Sequence, residues 1–130
     1  MNIGLGAARR TILLVDADPH ARAALRKALE AAGFSVGEAA TGEEGERTAH
    51  RIHPDAILTD LMMETIDAGG EIARRLAEAG KQTPIYMVST AADALVGATG
   101  FAELGISGVF LKPVDPAIVV RTLKTRLGAS

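Results

Sequence analysis

The chain has 130 residues, enough for one domain with a real core; 48% are hydrophobic and only 3% aromatic, so Ala, Leu, Ile and Val must build that core. A net charge of −2 gives no electrostatic case for nucleic acid or an anionic membrane surface as partner. The absence of cysteine excludes disulfides and thiolate metal sites, the three histidines (His20, His50, His53) form no ligand pattern, and no apolar run approaches a membrane span.

Residues 1–10 are Gly-rich and lack the apolar segment of a secretory signal; they read as a flexible N-terminal arm on a cytoplasmic chain. Ile12 to Val15 is a first strand, apolar on both faces as a central parallel strand should be, and it ends at Asp16. Asp18-Pro19 starts a helix, with Asp as N-cap and Pro in the first turn. That helix runs to about Ala32. Ala21, Ala24, Leu25, Ala28, Leu29 and Ala32 form its apolar stripe, and Arg22, Arg26 and Lys27 a solvated face. Gly33 is the stop. Phe34 to Ala39 is a weaker second strand, expected at an edge. Thr41-Gly42-Glu43-Glu44 opens a short helix to about His50, with His50 and His53 on the surface near its end.

Ala56 to Thr59 is the third strand, with a β-branched residue on each side of Leu58, and Asp60 falls at its C-terminal end. Residues 62–70 read as a loop and 71–79 as a third helix, with Ile72, Ala73 and Leu76 inward. Ile85 to Val88 is the fourth strand and ends in Ser89-Thr90. Residues 91–103 have helical composition but contain Gly97 and Gly100, each costing a helix about 1 kcal/mol relative to Ala. Gly108 to Leu111 is the fifth strand and leads into Lys112-Pro113. Asp115-Pro116 repeats the cap-and-Pro start. The last helix runs to about Leu127, with Ile118, Val119, Leu123 and Leu127 inward, and residues 128–130 are a tail. Strands alternating with helices predict an α/β fold: a single-domain, doubly wound, five-stranded parallel sheet with five helices, flavodoxin-like.

In such sheets ligands bind outside the carboxyl ends of the strands. The residues gathered there are Asp16, Asp18, Asp60, Ser89, Thr90 and Lys112. Close carboxylates repel and call for a cation. An oxygen-only ligand set suits Mg²⁺, which keeps waters and favours phosphate partners. A lysine and a hydroxyl complete a set suited to a phosphoryl group, and an Asp can itself be the nucleophile.

The stretches Ile12 to Pro19, Ile57 to Met63, Ile85 to Ala91 and Val109 to Val114 resemble the receiver domain of the two-component response-regulator family, from about residue 11 to 127. The resemblance implies a phosphoacceptor module rather than an enzyme. Asp60 would accept a phosphoryl group from a sensor histidine kinase or a histidine phosphotransfer protein. Asp16 and Asp60 would hold Mg²⁺ with the backbone carbonyl of Met62, while Ser89 and Lys112 would contact the phosphate. A downstream protein or an output domain would read the altered surface, and a homodimer is a further option the charge pattern leaves open.

Three positions depart from the family pattern. Ala17 stands where the second acidic residue, a direct metal ligand, is usual; Asp18, one residue on, is a substitute ligand only if it is not the helix cap. Glu64 stands where Pro is usual. Val109 stands where an aromatic switch is usual, and period two sends Phe110 to the opposite face. These departures motivate an alternative: a phosphorylation-independent pseudo-receiver acting as an interaction module. A second, shorter resemblance, over Leu14 to Asp18, is to haloacid-dehalogenase-type phosphatases, with Asp16 as nucleophile and Asp18 as acid/base. That family needs a further acidic motif after the lysine, and here Asp115 heads a helix instead.

Overall fold

The short apolar runs become five strands: β1 (Thr11–Val15), β2 (Ser35–Ala39), β3 (Ala56–Asp60), β4 (Ile85–Ser89) and β5 (Ile106–Leu111). The computed structural model describes residues 9–60, 83–90 and 106–128. All pairings are parallel, in the order β2-β1-β3-β4-β5, so β2 is an edge as expected. The chain leaves β1 toward one edge and returns past it to β3. The carboxyl ends of β1 and β3 therefore flank the topological switch point, where this sheet class opens a crevice.

Among the described residues three helices cover the sheet: α1 (Pro19–Ala31), α2 (Gly42–Ile52) and α3 (Pro116–Leu127). Leu25 and Leu29 of α1 and Val119 and Leu123 of α3 meet Ile12, Leu14, Ala56, Leu58, Tyr86 and Val88 on one face. Ala49 of α2 meets Leu13, Val15, Ile57 and Ile85 on the other. Burying each Leu or Ile contributes roughly 1.5–3 kcal/mol, so the alternation along β1 alone anchors both layers. Glycines permit close contact: a Cβ on Gly45 would lie 2.9 Å from Val15 Cγ2. Tyr86 and Phe110 stack with ring centroids 5.3 Å apart, on the α1/α3 face.

The ends of α1 follow the sequence signals. The Asp18 carboxylate accepts from His20 N–H at 2.9 Å. Gly33 adopts φ +99°, with Phe34 N–H donating to Leu29 O and Gly33 N–H to Glu30 O at 3.0 Å each, a Schellman stop. Thr41 caps α2, its Oγ1 accepting from Glu44 N–H, and Glu44 Oε1 accepts from the N–H of Ala40, the residue before the cap. Helix α2 runs two residues beyond the expected end at His50 and stops at His53, whose φ is +48°. His50 and His53 are exposed.

Several expectations need correction. Five helices were expected; among the described residues there are three. The expected helices over 71–79 and 91–103 fall outside the described residues. They had the least support in the chain, with few inward positions in one and two helix-weakening glycines in the other. Ile118 was expected inward but is 48% exposed, because Pro116 sets the start of α3 and the inward row is Val119 and Leu123, four residues apart. Ala24 is exposed rather than packed. Arg22 is not a solvated residue: its side chain is only 17% exposed. Most of the expected arm, residues 1–8, lies outside the described residues.

Candidate functional site

Each polar side chain at the rim is placed by a strand that the core requires. Asp60 is the last residue of β3 and is only 7% exposed. It lies there because Ile57 and Leu58 are locked into opposite cores just before it. Lys112 follows β5 directly, and its Nζ lies 2.9 Å from Asp60 Oδ2. The peptide between Lys112 and Pro113 is cis. Lys112 N–H also donates to Ser89 O at 2.8 Å, tying the ends of β4 and β5.

Asp16 follows β1 and is half-buried. Its N–H donates to Ala39 O at 3.0 Å, and its Oδ1 accepts from Asp18 N–H at 2.8 Å. Burial pushes the Asp16 carboxyl up from the ordinary carboxylate range, and the nearby charge of Asp60 adds to the rise; the Asp18 N–H and Lys112 oppose it. Asp16, Asp60 and Lys112 therefore share one electrostatic site. They line a cleft of ≈ 280 Å³ with Asp18, over a floor that includes Leu25, Val88 and Val114. Two carboxylates facing one ammonium at the mouth of an apolar cleft can hold a small anion against Lys112 and offer a carboxylate oxygen to it.

The structure brings Asp16, Asp60 and Lys112 together, with Asp18 beside them in the cleft lining. Ser89 is 1% exposed, and its hydroxyl donates to Thr90 O at 2.9 Å rather than to Asp60. Thr90 is exposed. Asp18 lines the cleft, but its carboxylate caps α1. Ala17 is exposed and offers no ligand atom. Val109 pairs with Met87, while the next residue, Phe110, packs in the α1/α3 core; period two places Val109 on the other face. Met62 and Glu64 lie outside the described residues. Among the described residues no group of three His, Asp or Glu side chains could hold a metal. Sequence reading missed Arg22, whose Nη1 donates to the Asp16 carbonyl. It also missed Glu38, on which Arg22 Nε rests at 2.9 Å. Their only sequence signal is a carboxylate in mid-edge-strand and two arginines at helical spacing.

A 2-1-3-4-5 parallel sheet with two carboxylates and a lysine at the carboxyl ends of its strands defines an α/β module of the doubly wound class, with its ligand crevice at that rim. Residues 12–124 match the model of the response regulator receiver domain, and the chain belongs to that family. Transcriptional regulatory protein SrrA of Staphylococcus aureus is 35% identical over 116 residues, which are 89% of this chain and 47% of that protein. The chain thus spans about half the length of the curated relatives it matches. Chemotaxis protein CheY4 of Vibrio cholerae superposes with a TM-score of 0.80 at 28% identity, covering 91% of this chain and 98% of that one. A CheY-like receiver domain protein of Methanospirillum hungatei JF-1, at 23% identity, shares the fold with a TM-score of 0.85, covering 93% and 95%. Receiver domains act in two-component signalling as phosphoacceptor modules, and this chain carries that domain. The match takes in the Leu14 to Asp18 stretch, so the phosphatase resemblance of that stretch falls away. Among the described residues no helix is long and apolar enough to cross a membrane.

Proposed function

We infer that Asp60 is the phosphoacceptor. One observation carries the reading: a nearly buried carboxylate at the switch point, ion-paired with Lys112 at 2.9 Å and beside Asp16. In the transfer, an Asp60 oxygen attacks the phosphorus of a donor phosphohistidine. The P–O bond forms, the P–N bond breaks, and the imidazole leaves with its electron pair and takes up a proton. Lys112 then exchanges a carboxylate oxygen for phosphoryl oxygens, keeping a charge-assisted bond throughout. Ser89 reaches the phosphoryl group only by giving up its bond to the Thr90 carbonyl. That exchange would move the end of β4 and change the surface a downstream protein or output domain reads. The donor is a sensor histidine kinase or a histidine phosphotransfer protein.

The donor set at the site is oxygen-only and fits a hard cation with few protein ligands. Asp16 and Asp60, with the Met62 carbonyl, are the groups that would hold Mg²⁺, which when bound supplies positive charge to the phosphoryl oxygens. With Ala17 exposed and Asp18 engaged as a cap, few protein groups would hold the ion, and its binding would be weak. The same two residues favour the second reading, a pseudo-receiver that binds its partner without phosphate.

A small acyl phosphate donor followed by borohydride reduction marks an aspartyl phosphate permanently, and peptide mass spectrometry locates it. The mark is expected at Asp60. A mark at Asp16 would overturn the assignment, and no mark on folded protein would favour the pseudo-receiver.

A further inference from the structure

The loop between β1 and α1 carries Asp16, and Ala17 gives it no side chain to anchor it. Asp18 N–H holds the Asp16 carboxylate and Ala39 O the Asp16 N–H, and a further hold on the Asp16 backbone comes from groups that lie outside the cleft. Arg22 donates through Nη1 to the Asp16 carbonyl, and through Nε to Glu38 Oε1 at 2.9 Å. Glu38 stands on the edge strand, in register with Leu14 of β1, so it is one strand away from the loop it affects. Its carboxylate is held below the ordinary range by Arg26 and then Arg22. Arg26 pairs with Glu38 and, at 3.1 Å, with Glu30, but makes no contact with Asp16 among the bonds described. A planar guanidinium with donors on two edges can bridge a carboxylate and a carbonyl at once, and an ammonium on a flexible stem cannot hold that geometry. Arg22 and Glu38 both sit on regular elements, α1 and β2, which keeps the bridge stiff.

We propose that Arg22, oriented by Glu38, is a positioning residue for Asp16: it fixes the Asp16 peptide and so aims the carboxylate that shares the site with Asp60. The proposal rests on the phosphoacceptor reading of that site. Groups that orient a metal-binding side chain from behind typically change metal affinity or activity by about 10–100-fold when removed.

The test titrates Mg²⁺ against wild type, Arg22→Ala, Arg22→Lys and Arg26→Ala, following the backbone amide of Asp16 by NMR. Initial rates of labelling by a small acyl phosphate are measured in parallel, and circular dichroism confirms the fold of each variant. Arg22→Ala is expected to raise the Mg²⁺ half-saturation point by about tenfold or more. It is also expected to slow labelling most at low Mg²⁺. Arg22→Lys should recover thermal stability without recovering Mg²⁺ affinity, and Arg26→Ala should match wild type in both readouts. The proposal is overturned if Arg22→Ala titrates like wild type, if Arg26→Ala produces the same loss, or if wild type shows no Mg²⁺-dependent shift at Asp16. Wild type that binds Mg²⁺ in an Arg22-dependent way yet never labels at Asp60 removes the phosphoacceptor reading and leaves the positioning of Asp16 standing.

Discussion

Replacing Asp18 by serine and, separately, by alanine divides its two candidate roles, helix cap and metal ligand. Asp18 Oδ1 accepts from His20 N–H at 2.9 Å, satisfying one of the donors that the first turn of α1 leaves open. Loss of such a cap costs about 1 kcal/mol, within a range of roughly 0.5–2. The favourable position of a negative charge at a helix N-terminus adds about 0.3–1 kcal/mol, at the low end because the residue is exposed. Relief of repulsion against Asp16 offsets part of this. The net expectation for Asp18→Ala is a loss of about 1 kcal/mol, or about 3–5 °C in Tm for a domain of this size. Serine caps as well as aspartate, so Asp18→Ser should lose only the charge term, a few tenths of a kcal/mol. Asp115→Ala is the internal standard: its carboxylate makes the same 2.9 Å bond, to Ala117 N–H, at the start of α3. Thermal melts give the stabilities, and Mg²⁺-dependent labelling by an acyl phosphate gives the function. Both Asp18 variants should label as wild type does. A tenfold loss of Mg²⁺ affinity in Asp18→Ser would make Asp18 a metal ligand as well, replacing the one missing at Ala17, and Asp18→Ala melting with wild type would refute the cap assignment.

Other perturbations test the electrostatics and packing around the site. The folded-state pKa of Asp16 is raised, chiefly by burial, so ionising it costs stability that is present below the ordinary carboxylate range and lost as pH rises through the raised value. Asp16→Asn should therefore melt higher than wild type near neutral pH, with the gain vanishing in acid; no gain at neutral pH would contradict the burial. Glu38 has the opposite sign: Arg26 and Arg22 lower its pKa, so its contribution is present above the unfolded value and lost as pH falls through the lower folded one. Urea midpoints should show Glu38→Gln less stable than wild type at neutral pH and equal to it at low pH. Gly45→Ala drives a Cβ to 2.9 and 3.0 Å from the two Val15 methyls; such overpacking costs about 1–3 kcal/mol, read as a lower urea midpoint.

The strands were legible because each is a short apolar run that cannot be solvated, and α1 and α3 because Asp-Pro starts and Gly stops punctuate them. The meeting of Asp60 and Lys112 was legible because strand ends in this architecture share a rim, although the two residues are 52 positions apart. The phase of α3 was misread at Ile118, since a run of Ile118, Val119 and Val120 is apolar all round and only packing selects the inward member. Ser89 ends β4, but a hydroxyl's partner is chosen by local backbone geometry, and here it is the Thr90 carbonyl. The Arg22–Glu38 bridge was invisible because a charged residue on a helix reads as solvated until the edge strand beside it is known. Strand order itself follows from the crossover connections and not from any residue in the strands.

The central claim is that Asp60 takes a phosphoryl group despite the alanine at position 17. Intact mass after incubation with a small acyl phosphate, in Mg²⁺ and in EDTA, on wild type and Asp60→Asn, tests it most directly. One added phosphoryl group is expected on wild type, dependent on Mg²⁺ and absent from Asp60→Asn. An adduct of equal yield on Asp60→Asn, or none on folded wild type at any Mg²⁺ concentration, would contradict it.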